Sequence, residues 1–127
     1  MQERHLFEYA VIRVVPRVER EEFLNVGVIL LCSAQGFLQV RYTLIEERLR
    51  AVFGHLDMEE LHDRLRAIEK VCAGRREGGP IGQLGIASRF RWLTANRSTI
   101  VQISAVHPGM CTDAKETLDK LHRDLVL

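Results

Sequence analysis

The chain of 127 residues is poor in the features that place a protein quickly. It has three cysteines, three prolines and one tryptophan, and aromatic residues make up 6 % of it. Cys32, Cys72 and Cys111 are odd in number and widely spaced, with no Cys-x-x-Cys pair. That excludes a disulfide framework and fits reduced, buried thiols in a cytosol. The longest apolar run, Val26 to Cys32, is seven residues, whereas a membrane helix needs roughly 20. The opening stretch MQERHLFEYAVIRVV is broken by Glu8 and Arg13, and no small-residue cleavage site follows, so no signal peptide is expected. An excess of one charge is missing too. The formal net charge is +1, and a dedicated DNA-binding domain is usually far more basic. We therefore expect a cytoplasmic protein, with no membrane partner and no overall charge to select nucleic acid.

What is present is a hydrophobic fraction of 46 %, enough at this length for one domain, 1–127, with a core that needs no staples. Phe7 to Val15 alternates, with Tyr9, Val11, Arg13 and Val15 on one face and Ala10, Ile12 and Val14 on the other. Pro16 ends that strand, and the charged link RVEREE follows. Residues 26–32 are apolar on both faces, as in a covered central strand. Ser33 to Gly36 is a turn, and Phe37 to Leu44 alternates as a half-exposed third strand. Ile45, Leu49, Val52 and Phe53 then take helical spacing up to Gly54. Asp57 with Glu60 opens a second helix with the stripe Met58, Leu61, Leu65, Ile68 and Cys72, stopped by Gly74. Residues 74–96 hold five of the nine glycines and read as a mobile Gly/Arg-rich loop, in which ASRFRWLTA is a short helix or an irregular segment. Ser98 to Val106 is the fourth strand, His107-Pro108-Gly109 a turn, and Thr112 or Asp113 the cap of a last helix bearing Ala114, Leu118, Leu121 and Leu125. The order β-β-β-α-α-(loop)-β-α predicts an α+β domain, its helices packed on a mostly antiparallel sheet of about four strands.

Few residues suggest chemistry. His107 and Cys111 form one His-x-x-x-Cys pair, while structural zinc needs about four ligands, so neither a metal site nor a cofactor is expected. Cys111 just before a helix, with His107 as base, is a weak nucleophile signal, and a buried cysteine is the commoner case. Paired carboxylates and triad spacing are absent, which leans away from an enzyme. Arg75, Arg76, Arg89, Arg91 and Arg97 against the single acid Glu77, among glycines and beside Phe90 and Trp92, suggest an anion-binding loop. A solvated loop with ordinary arginines is the weightier alternative. In the first half, Arg13 lies on an apolar strand face and needs a partner if buried, with Glu22 the natural choice. Asn25 followed by Gly27 suggests a bulge or a close backbone approach. Gln102 inside an apolar strand is unfavourable by about 1–3 kcal/mol unless its amide is bonded.

The segments RVVPRVEREEFLNVGVIL and RSTIVQISAVHPGMC together resemble the bacterial DUF3037 family, a domain of unknown function, over nearly the whole chain. The resemblance rests on Arg13, Pro16, Glu22, Phe23, Asn25, Gly27, Arg97, Ser98, Gln102, His107, Gly109 and Cys111. The family carries no assigned activity. The resemblance implies at most an accessory role, through gene neighbourhoods that encode HipA-like kinases. Two readings follow. One is a non-enzymatic interaction module that docks on a partner protein, such as a HipA-like kinase, or on a second copy of itself. The other is a small-ligand or nucleic-acid site, with or without catalysis, at the ends of the first and fourth strands. Candidate binding residues for either are Arg13, Glu22, Asn25, Arg97, Ser98, Gln102, His107 and Cys111. They form one patch if those two strands are neighbours.

Overall fold

Strand β1, His5–Val14, is the axis of the fold, because other strands pair with it on both sides. The computed structural model describes residues 3–95 and 99–127. On one side of β1 lies β2, Leu24–Cys32, and beyond it β3, Phe37–Tyr42. On the other side β4, Val101–Ile103, pairs with Ile12–Val14, and β5, His107–Cys111, pairs with His5–Tyr9. Every pairing is antiparallel, and with the helices this makes the α+β class the sequence predicts.

The sheet has five strands where about four were expected, and the reason is local. β4 and β5 are two lengths of one edge, interrupted at Ser104–Val106. Ser104 Oγ accepts from the Val11 N–H at 2.8 Å, and the Ser104 N–H donates to the Val11 carbonyl at 2.8 Å. The pairing resumes one residue out of step, with His107 opposite Tyr9, which is how an edge bulge behaves. His107-Pro108-Gly109 is therefore strand, not the turn expected there. Proline is tolerated because this is an edge.

A second irregularity lies in β2. The register passes from Ile12 opposite Gly27 to Arg13 opposite Asn25, so Val26 is the extra residue. This is the bulge that Asn25 and Gly27 announced. It turns Val26 into the same core as Ile29 and Leu31.

Helices cover both faces. α1 (Glu46–Phe53) and α2 (Met58–Ala73) lie on one face, followed by a short α3 (Gly79–Gly82) and then α4 (Ile86–Leu93). Ile12, Val14, Ile29, Leu31, Leu49, Leu61, Leu65 and Phe90 form the core there. α5 (Ala114–Leu125) closes Phe7, Val28, Leu30 and Cys32 on the other face with Ala114 and Leu118. The aspartates at the helix starts act as N-caps. Asp57 Oδ1 accepts from the Glu60 N–H at 3.1 Å, and Asp113 Oδ1, not Thr112, from the Glu116 N–H at 3.0 Å. Residues 74–96, expected as a loop, contain α3 and α4. Their organiser is Arg89, buried and donating to the carbonyls of Val71 (2.9 Å), Cys72 (2.7 Å) and Leu84 (2.9 Å).

Candidate functional site: an open shelf beside the last helix

α5 lies over β2 and β3. On the same face, β1 and the β4–β5 edge extend past it and carry Tyr9, Arg13, Gln102 and His107, each half-buried or exposed. Period-2 alternation puts Tyr9 and Arg13 on that face, since Ile12 and Val14 point into the opposite core. Cross-strand register then supplies the neighbours: Asn25 on β2 and Gln102 on β4 both pair with Arg13, and His107 pairs with Tyr9. The result is a shelf of polar and aromatic groups.

Arg13 is its centre. Its guanidinium carbon sits 4.1 Å from the centroid of the Phe23 ring, which is 44 % exposed. Such stacking contributes about 0.5–1 kcal/mol at exposed sites. The Nε–H is buried with no acceptor, and among the described residues no carboxylate pairs with Arg13. Glu22, the expected partner, is exposed and ion-paired with Arg20 instead. The link explains this: residues Val18–Arg20 form a 3-10 turn and Glu21 follows with φ 56°. Arg20 and Glu22 are thereby brought together outside the sheet. Asn25 donates through Nδ2 to the Leu125 carbonyl of α5 at 3.1 Å, while its Oδ1 is buried without a donor. Gln102 Nε2 donates to the Thr99 carbonyl at 3.1 Å.

The remaining predicted residues divide. His107 belongs to the shelf, with its ring 5.3 Å from that of Tyr9. It lies four residues from Cys111 along a strand, which is about 13 Å. A helical His-x-x-x-Cys pair would touch; this one does not. Cys111 is buried beneath the start of α5 beside Cys32, and burial, reinforced by that neighbouring thiol, pushes its own thiol up. It is a packed thiol, not a nucleophile poised by His107. Arg97 and Ser98 lie outside the described residues.

The arginine-rich segment is not one anion site. Arg89 is turned inward as a helix cap, and Arg91 makes two bonds to Glu8 of β1, at 3.0 and 2.9 Å. Arg75 and Arg76 are exposed at the turn before α3. Among the described residues, no three or more His, Cys, Asp or Glu side chains group as a metal site, and no helix is long and apolar enough to cross a membrane. On the opposite face a cavity of about 260 Å³ opens between α2, α4 and β4, lined by Ile68, Val71, Trp92, Leu93 and Ile103.

Sequence reasoning passed over Phe23 and Tyr9 as site residues. Their signal was an aromatic directly after a charged link, and a tyrosine on the same strand face as the lone arginine.

α5 also carries a buried titratable group. His122, 3 % exposed, has Nε2 2.9 Å from Thr43 Oγ1. Burial, then the charge of Arg41, holds its pKa below the usual value, while Asp119 opposes this more weakly. The unfolded chain therefore takes up the proton first. The stability contribution of neutral His122 is complete above about pH 6.5 and is lost as the pH falls below that. Urea unfolding should give a free energy that declines as the pH falls below about 6.5. The decline should be shallower in His122→Gln; an unchanged slope would assign it to other groups.

No curated protein and no solved structure matches the chain. A family model does, over residues 9–126, and its description is a protein of unknown function, DUF3037. The match covers the shelf residues from Tyr9 to His107, and the chain belongs to the DUF3037 family.

Proposed function

We propose that the protein is a non-enzymatic docking module that binds a partner protein through the shelf formed by Tyr9, Arg13, Phe23, Gln102 and His107. The observation that carries this reading is Arg13, a half-buried arginine in the middle of a sheet with no carboxylate among the described residues and an exposed aromatic stacked on it. Arginine and aromatic side chains are the groups on which binding energy concentrates at protein interfaces. Stacking on Phe23 also fixes the guanidinium in advance, which lowers the entropy lost on binding. The nucleic-acid alternative needs a row of free cations, and two of the five arginines named for it, Arg89 and Arg91, have internal work. The reading sets the protein in a bacterial cytoplasm, and the first partner to test is a HipA-like kinase, the kind the family resemblance implies.

The test is purification of the tagged chain from its own host beside Arg13→Gln and Phe23→Ser variants. A stoichiometric protein recovered with the wild type and lost from both folded variants is the expected result. A partner that stays with both variants, or a chain that purifies alone or only as its own dimer, contradicts it.

A further inference from the structure

Resting on the docking reading, we infer that Arg13 is a carboxylate receptor. The partner presents an aspartate or glutamate side chain that accepts from the two terminal nitrogens of Arg13, with an apolar or aromatic neighbour packed against Phe23. The argument begins with what Arg13 lacks. A guanidinium partly withdrawn from water, as Arg13 is at its Nε–H, calls for an acceptor, and a buried charge is normally paired. Of the three acids in the adjoining link, Glu19 is held by Arg17 and Glu22 by Arg20, and Glu21, exposed at the left-handed position, makes no ion pair with Arg13. Glu8, on the same strand, faces away and holds Arg91. No group among the described residues accepts from the Arg13 side chain.

The surroundings then select among anions. Both cross-strand neighbours, Asn25 and Gln102, are neutral amides whose N–H groups are engaged by the carbonyls of Leu125 and Thr99. Among the described residues these neighbours add no charge to that of Arg13. That matches one carboxylate, whereas a nucleic-acid backbone is held by several cations along a track. The Nε–H is buried, so approach is end-on, to the terminal nitrogens, where a planar carboxylate accepts two parallel hydrogen bonds. Lysine cannot present that fork. Phe23 covers one side of the guanidinium and leaves its own exposed edge for an apolar residue beside the acid.

A random peptide library displayed on phage, selected on the immobilised full-length chain, tests this without knowledge of the partner. Enriched peptides should share an aspartate or glutamate next to an aromatic or aliphatic residue. A synthetic copy of the best one should bind Arg13→Gln about tenfold more weakly, and replacing its acid by the amide should cause the same loss. The two changes together should be no worse than either alone. Arg13→Lys, which keeps the charge and guards against a folding artefact, should recover only part of the affinity. Peptides without an acid, or with affinity indifferent to Arg13→Gln, overturn the carboxylate receptor and leave the docking reading standing. Failure to enrich any peptide over an unrelated control protein counts against both.

Discussion

Arg89→Ala should lower the free energy of unfolding by about 3–5 kcal/mol, the largest loss expected from one polar side chain here. Domains of this kind are stable by only about 5–15 kcal/mol. The last turn of α2 leaves carbonyls with no partner within the helix, and a cation at that end is favoured by the helix dipole. Arg89, reaching over from α4, satisfies Val71 and Cys72 of that turn and also Leu84. Removing it strands three acceptors, those of Val71 and Cys72 in buried surroundings. Gly74 shares this design. It caps α2 at φ +70°, and a Cβ there would stand 2.5 Å from Arg89 Nη1. Gly74→Ala should therefore destabilise by about 1–3 kcal/mol, and the two substitutions together should lose less than the sum of their separate effects. Denaturant unfolding of the three variants measures both claims. A loss under about 1 kcal/mol for Arg89→Ala would mean that the carbonyls find water.

Gly27→Ala should destabilise by about 2–3 kcal/mol although it adds a single methyl group. The methyl carbon would lie 2.8 Å from Tyr42 Cβ, 3.0 Å from the Arg41 carbonyl oxygen and 3.1 Å from Ile12 Cδ1. Two of those contacts belong to, or sit directly on, the backbone of β3, so β2 and β3 must part to admit it. The position also adjoins Val26, the bulge residue at which the register shifts between Ile12 and Arg13. Relief by straightening the bulge would move Asn25 from its place beside Arg13. Urea unfolding reports the first effect. Peptide affinity at the shelf reports the second, and should fall with stability. A variant as stable as the wild type would show that the strands are not held this closely.

How much of this was legible follows from which signals are local. Alternation in Phe7 to Val15 and helical spacing from Ile45 to Cys72 are one-dimensional patterns, and the strands and helices there follow them. α4 was ambiguous because one of its buried positions is an arginine. In IASRFRWL the residues turned inward include Arg89, Phe90 and Leu93, and a charged residue in the core stripe erases the amphipathic pattern. The β4–β5 edge was misread for a similar reason. Proline and glycine at 108 and 109 signal a turn, but on an edge neither needs to complete a ladder on its outer side. At the shelf, Arg13, Asn25 and Gln102 were all singled out. Their grouping depends on strand order, which joins residues nearly ninety positions apart and leaves no local trace. The pairing of Arg13 with Glu22 failed because nearness in sequence was taken for nearness in space across a link that contains a left-handed residue, Glu21.

The central claim is that the shelf carries a protein in the cell. The most direct measurement is site-specific photo-crosslinking in the native host, with a benzophenone side chain placed at Phe23 and, as control, at Glu59 on the exposed side of α2. The account predicts a discrete light-dependent adduct at Phe23 with a second protein, weakened by Arg13→Gln, and none at Glu59. An adduct at Glu59 with none at Phe23 would move the docking face to the opposite side of the sheet and contradict it.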